Sequence, residues 1–263
     1  MPRILAFLLL LSSLTGCSLL PDVIDETKNW SASKLYYSAK EHLADGSYTE
    51  AVKLFEKLEA RYPYGAFAQQ SQLEVAYAYY KDNEPASAIA ACERFIKLHP
   101  NHPNVDYAYY LKGLANFVED TSLFAKYADQ DMSERDPKSA REAFESFKEL
   151  ATRFPRSKYT ADAVGRMQYL VNNLAQHEVR VARYYYKRGA YVAAAARGKY
   201  ALENYQQSPA LEEGLAIMAK SYDKLNLPDL RDDALRVLKL NFPNSPYVAG
   251  DGPVQEKPWW KLW

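Results

Sequence analysis

A recurring proline divides this chain into segments of similar length. Four related stretches carry it: RYPYGAF from Arg61, LHPNHP from Leu98, RFPRSKY from Arg153 and NFPNSPY from Asn241. Proline ends a helix, and a Ser or Asn beyond it can cap the next one. Pro63 and Pro100 are 37 residues apart, close to the period of about 34 residues of a repeat made of two helices. The spacing therefore predicts stacked helix pairs.

The residues between these prolines fit the tetratricopeptide pattern, in which small residues allow two helices to cross closely and bulky residues fill the space around them. Three repeats share one spacing of alanine, larger residue and proline in the second helix. These sets are Ala51, Phe55 and Pro63; Ala88, Cys92 and Pro100; Ala143, Phe147 and Pro155. In the first repeat Leu35, Ala39 and His42 fill the corresponding positions of the first helix. We expect an all-α fold, a tetratricopeptide α-solenoid of about five helix-pair repeats over residues 32–246.

Three regions depart from the regular pattern. An insertion at about residues 119–137 separates the two helices of the third repeat. Neither Gly nor Pro occurs between Gly165 and Gly189, which predicts one long helix or two abutting ones. Residues 247–263 read as a flexible tail that ends in Trp259, Trp260 and Trp263. These tryptophans, with nearby lysines, suit a membrane interface or a partner's pocket.

The N-terminal sequence predicts export and lipid attachment. An apolar run of eight residues, Ile4 to Leu11, follows Arg3 and is too short to span a bilayer. The next residues, LTGC at 14–17, match the lipobox of bacterial lipoproteins. We therefore predict that residues 1–16 are a signal peptide, that Cys17 carries the lipid, and that residues 17–31 form a tether to the first helix. Several acyl chains hold a protein stably on a membrane.

The sequence contains no recognisable set of catalytic residues. The sequence contains no P-loop, GxGxxG, GxSxG, HExxH or CxxC motif. His99 and His102 surround two prolines without a third zinc ligand nearby, and the calcium-like run from Asp129 has Glu134 where a glycine is required. Cys92 occupies a core position of its repeat. Because 33 basic residues balance 33 acidic ones, no net field favours nucleic acid. We expect a protein that is not an enzyme and that holds no metal or cofactor.

Tyrosines and charges instead indicate binding surfaces. The chain has 22 tyrosines, and three clusters of them are Tyr77, Tyr79 and Tyr80; Tyr107, Tyr109 and Tyr110; Tyr184, Tyr185 and Tyr186. Three tyrosines within four residues cannot all face one core at 3.6 residues per turn, so some should face a groove or solvent. From Glu178 to Lys199 there are six basic residues and one acidic residue, which suits a docking surface. Arg197 follows Ala193–Ala196, where helices approach closely, and it should either snorkel or meet a partner's carboxylate.

Four segments carry a family resemblance: NVDYAYYLKGL from Asn104, SERDPKSAREAF from Ser133, RFPRSKYTADA from Arg153 and the YYYKRGAYVAAAAR run that ends at Arg197. Together they resemble one family, the BamD (ComL) lipoproteins of Gram-negative bacteria. The resemblance covers roughly residues 12–247. It implies a lipid-anchored scaffold on the periplasmic face of the outer membrane, in the machine that assembles β-barrel proteins.

The resemblance also implies partners and site residues. The C-terminal half would dock on the barrel-forming subunit BamA, with Arg188 and Arg197 in that role, and other lipoprotein subunits would bind as well. The N-terminal repeats would bind the aromatic-ended targeting sequences of unfolded barrel proteins through Tyr77, Tyr80 and Tyr110. From the residues alone an alternative stays open: another periplasmic tetratricopeptide lipoprotein, such as a pilus-assembly pilotin or a peptidoglycan-associated adaptor.

Overall fold

The computed structural model describes residues 25–117 and 137–249, and all regular structure in these two stretches is helical. This confirms the predicted all-α fold class. The α-helices of these stretches are α1 (Ala32–Ala44), α2 (Tyr48–Arg61), α3 (Ala66–Lys81), α4 (Pro85–Leu98), α5 (Val105–Asn116), α6 (Pro137–Arg153), α7 (Thr160–Lys187), α8 (Tyr191–Asn204), α9 (Leu211–Lys224) and α10 (Pro228–Asn241), and a 3₁₀ turn follows over Pro246–Ala249.

The turn inside a repeat is the same wherever it is described. A residue with positive φ lies two positions before the second helix begins: Gly46 (φ 79°), Asn83 (φ 59°), Gly189 (φ 76°) and Asn226 (φ 57°). Glycine adopts this left-handed conformation freely, and asparagine is the side-chain-bearing residue that tolerates it best. The identical placement shows that these four helix pairs are copies of one structural unit.

The turns between repeats use serine as well as proline. The Ser157 hydroxyl accepts a hydrogen bond from the N–H of Tyr159 at 3.2 Å, just before α7 begins. Ser208 does the same for Ala210 at 3.3 Å, and Ser245 for Tyr247 at 3.2 Å. A serine hydroxyl can satisfy N–H groups that the start of a helix leaves without a partner. These are short serine turns rather than helix caps. The residues at the N-caps of α5, α7 and α9, which are Asn104, Tyr159 and Ala210, make no side-chain cap hydrogen bond, so the predicted capping is wrong for these helices.

The helices stack so that one side of the solenoid is shorter than the other. Each helix packs against the next in the chain, and the first helices of successive repeats also pack on one another, α1 on α3, α3 on α5 and α7 on α9. The second helices lack comparable packing with each other. The first helices therefore line the inner, concave side, which in solenoids is the usual binding surface.

The predicted small and bulky core positions of the second helices are buried. Ala51, Ala88 and Ala143 have no exposed surface, and neither have the larger residues that follow them, Phe55, Cys92 and Phe147. At Gly113 a Cβ would lie 2.4 Å from the Phe147 ring, so only glycine fits where α5 crosses α6.

The prediction was wrong at His42, which is only partly buried. On α1 the side chains against α2 recur every four residues, at Leu35, Ala39 and Leu43, and all three are buried. His42 is therefore rotated about 100° away from this face, since a helix turns that far at each residue.

The segment without Gly or Pro is a single helix, α7, of 28 residues. Most of the predicted insertion falls outside the described residues, because the second stretch begins with α6 at Pro137. Cys17 and Trp259, Trp260 and Trp263 also lie outside the described residues. No helix in the two described stretches has the length and hydropathy needed to cross a membrane.

Candidate partner-binding surfaces

The tyrosines of α5 point to different sides of the helix. Tyr109 is buried, where it lies against the Phe154 ring and its hydroxyl accepts a hydrogen bond from Arg153. Tyr107 and Tyr110 lie on another side and contact Tyr159 in the turn before α7. The surplus tyrosines of this cluster are thus outside the core.

Tyr159 joins two of these tyrosines into a layer. Its ring stacks on Tyr110 with centroids 4.8 Å apart and planes 16° apart, and it lies 5.3 Å from Tyr107. Tyr107 and Tyr77 in turn pack beside the same small cluster of Ala76, Cys92 and Leu111. The layer therefore continues from α7 across α5 to α3. Tyr159 was not among the predicted groove residues, although it is the second aromatic residue of RFPRSKY, which was a signal for it.

The layer reaches α1 through Glu74. The Glu74 carboxylate accepts hydrogen bonds from Lys40 at 3.0 Å and from the Tyr36 hydroxyl at 3.3 Å. Burial, reinforced by the charge of Glu74, raises the pKa of Tyr36 to about 12. Burial also raises the pKa of Tyr107, to which Glu74 adds a smaller contribution. We call Tyr36, Tyr77, Tyr107, Tyr110 and Tyr159 the tyrosine band. All five are partly exposed on the concave side.

A second carboxylate, Asp162, marks the α7 end of the band. It accepts hydrogen bonds from the Tyr110 hydroxyl at 2.7 Å and from Arg166 at 2.6 Å. Partial burial alone would raise the pKa of Asp162, but the hydrogen bonds from Arg166 and Tyr110 lower it below its usual value. Carboxylates thus hold the hydroxyls of Tyr36 and Tyr110 and fix the rings, whose faces remain available for apolar contact.

Of the three tyrosines predicted to form a groove, Tyr77 packs with Tyr107 on one small cluster, and Tyr110 is linked to Tyr107 through the Tyr159 ring. Tyr80 packs on the same small cluster as Tyr77 and Tyr107, so it borders the tyrosine band.

The two arginines predicted to dock a partner are both at the surface. Arg188 follows the last residue of α7, and its guanidinium lies 5.4 Å from the centre of the exposed Tyr184 ring. Arg197 lies on α8, and its side chain is 46% exposed. It donates a hydrogen bond of 2.9 Å to Glu178 of α7. Its first carboxylate partner is therefore within the chain.

The histidines and the cysteine form no reactive site. His99 and His102 pack on the Phe95 ring, and His99 also shares a hydrogen bond of 3.0 Å with Gln72. Burial raises the pKa of the Cys92 thiol to about 12, which keeps it protonated and unreactive at neutral pH. Within residues 25–117 and 137–249, no group of three or more His, Cys, Asp or Glu side chains could hold a metal ion.

A family model and individual relatives indicate the same family for this chain. The YfiO family model, described as outer membrane lipoprotein, matches residues 28–238. The chain is 53% identical over 237 residues to the outer membrane protein assembly factor BamD of Neisseria gonorrhoeae, covering 90% of this chain and 89% of that protein. It is 36% identical to the assembly factor BamD of Vibrio cholerae, covering 90% of this chain and 97% of that protein.

Proposed function

The chain belongs to the YfiO family of outer membrane lipoproteins, which includes the assembly factors BamD, and we propose that it is the lipid-anchored scaffold of an outer-membrane β-barrel assembly machine. In this proposal it docks on BamA and on other lipoprotein subunits from the periplasmic face. It binds the targeting sequences of unfolded barrel proteins and performs no chemical step. The names of the relatives support this role over a pilotin or a peptidoglycan adaptor.

The observation that carries the client-binding role is the tyrosine band. It runs along the concave side over the first helices of three repeats and reaches the turn before α7, which suits an extended peptide that crosses several helices. Rings fixed by hydrogen bonds to Glu74 and Asp162 lose little entropy when a ligand binds, so they favour affinity. An aromatic C-terminal residue would stack on such rings. Tyr77 and Tyr110 are the central contacts, and Tyr80 borders them.

A peptide titration tests this role. The probe is a synthetic peptide with a C-terminal Phe from a barrel protein, and its matched control ends in Ala. We expect Tyr77→Ala with Tyr110→Ala to weaken binding of the Phe peptide at least tenfold, because truncating a hot-spot residue removes about 2 kcal/mol or more of binding free energy. Tyr184→Ala, which removes an exposed tyrosine far along α7, should leave binding unchanged. Equal affinity for both peptides would contradict the proposal.

The BamA docking role rests on the basic surface of α7 and α8, with Arg188 and Arg197 as its contacts. A cation on the rim of an interface raises the association rate with an acidic partner, and one that becomes desolvated contributes to affinity. We expect Arg197→Glu and Arg188→Glu each to reduce co-purification of BamA while helicity is unchanged. Arg236→Glu is the control, since Arg236 is exposed on α10 and pairs locally with Asp233, three residues before it. Full recovery of BamA with Arg197→Glu would remove that residue from the docking surface.

The anchor and the tail are proposed from sequence. Replacing Cys17 with Ala should release the protein from the membrane without unfolding it, as seen by fractionation and circular dichroism. Deleting residues 252–263 tests Trp259, Trp260 and Trp263. Weaker binding to lipid vesicles would assign them to a membrane interface, whereas weaker recovery of the complex alone would assign them to a partner.

A further inference from the structure

Glu178 is an unusual residue for this fold. It is 1% exposed and is the one fully buried charged side chain among the described residues. It lies on α7, beside the close-packed alanines of α7 and α8. A carboxylate is expensive to bury unless cations and hydrogen bonds compensate for the lost water. Its presence in this position therefore needs an explanation beyond helix packing.

Two arginines from two other helices share this carboxylate. Arg197 of α8 donates to one carboxylate oxygen at 2.9 Å, and Arg141 of α6 lies 3.6 Å from the other. Arg141 is also hydrogen-bonded to the Tyr205 hydroxyl, which holds it from the far side. Glu178 thus ties α6, α7 and α8 together and fixes where each guanidinium lies.

The ion pairs with Glu178 leave much of both arginine side chains exposed to solvent. Their side chains are 47% and 46% exposed, and each guanidinium has five N–H donors in a rigid plane. One carboxylate shared by two guanidiniums leaves a net positive charge at the surface. The acidic residues nearest to Arg141 in sequence, Glu142 and Glu145, line a cleft toward α4 and α5, and Arg197 does not border that cleft. Arg141 itself lines that acidic cleft, so Arg197 is the cation of the set that lies outside it.

We infer that Glu178 is a positioning residue of the docking surface. It holds Arg197 so that the outer edge of the Arg197 guanidinium meets a carboxylate of the docked partner. Arg141 pairs with the other oxygen of Glu178. This inference rests on the docking function proposed above. A preorganised guanidinium binds a carboxylate with less loss of side-chain entropy than a free arginine does. Arg141 matters because it occupies the second oxygen of Glu178, so that Glu178 does not fully neutralise Arg197.

The opposite role for Glu178 predicts the opposite result. If Glu178 merely competed with the partner for Arg197, removing its charge would free the arginine and tighten binding. Titration of the full lipidated protein with purified BamA in detergent distinguishes the two roles. We expect Glu178→Gln to weaken binding at least tenfold, and Glu178→Asp, which keeps the charge on a shorter side chain, to weaken it less. Unchanged or tighter binding by Glu178→Gln would overturn the inference.

A double-mutant cycle distinguishes positioning from general support of the fold. In an Arg197→Gln background, Glu178→Gln should change the affinity by less than twofold, because the residue through which it acts is gone. An equal loss of affinity in both backgrounds would contradict positioning. Glu213→Gln is the matched control: it breaks a comparable ion pair, Arg183 to Glu213 at 2.6 Å between α7 and α9, and should leave the affinity unchanged.

The wild-type titration keeps this inference separate from the function it rests on. If the wild-type protein fails to bind BamA, the docking function itself is wrong. If the wild-type protein binds and Arg197→Gln does not weaken binding, the docking function stands and the role of Glu178 is refuted. The thermal unfolding midpoint of each variant verifies that the titrated protein is folded.

Discussion

The two halves of the solenoid pack their helices by different means. In α1 to α6, aromatic rings fill the spaces between helices, with Phe55, Phe95 and Phe147 fully buried and tyrosines beside them. In α7 to α9, small residues let neighbouring helices approach each other closely. A Cβ on Gly198 would lie 2.5 Å from Met218 and 3.0 Å from a backbone oxygen of Gly214. Ion pairs join helices in both halves, as Lys40 with Glu74 and Arg183 with Glu213 do, so the halves differ in what fills the space between their helices.

This difference in packing explains how one repeat pattern can present two kinds of binding surface, one aromatic and one charged. Rings of the first half extend to the concave surface, where the tyrosine band suits apolar peptide groups. Helices that touch through Ala and Gly carry ion pairs at their edges, such as Arg197 with Glu178, and they also expose tyrosines such as Tyr184. The join between the halves lies at α5 and α7, which Tyr110 and Asp162 bridge by a hydrogen bond.

The largest expected effect comes from removing a buried ring of the first half. Phe147→Ala should lower the free energy of unfolding by about 3–5 kcal/mol, since a fully buried Phe is replaced and a cavity remains. Denaturant unfolding measures this. A loss below 1 kcal/mol would show that ring packing does not hold α5 to α6.

Adding a methyl group at each close crossing compares the halves directly. Gly113→Ala and Gly198→Ala should each cost about 1–3 kcal/mol, because both force atoms into occupied space. Gly113→Ala should be the more damaging, since it meets a rigid ring, whereas Gly198→Ala meets the flexible Met218 side chain as well as backbone. Gly165→Ala, with open space around its Cβ, is the control and should not destabilise the protein. The reverse ranking would contradict the proposed contrast.

Ion pairs should matter in the second half and respond to salt. Glu213→Gln should lower the free energy of unfolding by about 1 kcal/mol at low ionic strength, and by less in concentrated salt, because the pair is partly exposed. Chemical unfolding at two salt concentrations measures the difference. An effect that does not depend on salt would contradict an electrostatic origin.

Tyr110→Phe tests the hydrogen bond that joins the halves. Loss of the hydroxyl should cost about 1 kcal/mol, a typical net value for such a bond. The pKa of Asp162 should then rise toward its ordinary value, because one of its two stabilising donors is lost. Carbon-detected NMR titration of Asp162 measures this shift, and an unaltered pKa would show that Tyr110 does not stabilise the charge.

The smallest expected effect is local, at the N-terminal end. Hydrogen bonds from Thr27 and then Lys57 lower the pKa of Asp25 to about 2, and Arg61 also pairs with it. Because the folded pKa lies below the ordinary value near 4, these contacts contribute above that value. They should be lost as the pH falls from about 4 to about 2. Hydrogen exchange of residues 25–31 against pH measures this loss. Asp25→Asn should remove the pH dependence.

Helix pairs were predictable because their signals are local. Prolines, turn residues and the recurring Ala and Phe positions lie within one repeat, so α1 to α4 follow from short-range spacing. His42 was misplaced because the pattern admits an aromatic residue there, whereas packing against α2 selected Leu43 instead. Whether the stretch from Gly165 to Gly189 held one helix or two depended on tertiary packing, which short-range signals do not contain.

The sequence shows which residue types form the binding surfaces, but it does not show which of these residues contact each other. The tyrosine clusters and the basic run are visible in the sequence, yet Tyr110 meets Asp162 across 52 residues, and Arg141 of α6 meets Glu178 far along α7. No local spacing brings such residues together. Arg197 was expected either to snorkel or to meet a carboxylate of a partner, and the structure gives it a carboxylate of its own chain.

The most direct test of the division between the two halves is site-specific photo-crosslinking in the native membrane. A photoreactive phenylalanine would replace Tyr77 or Tyr110 in one set of cells and Tyr184 or Tyr200 in another. We predict that the first set captures unfolded barrel proteins with little BamA, and that the second captures BamA with few clients. Capture of the same partner from both halves, or of clients only through α7 and α8, would contradict the account.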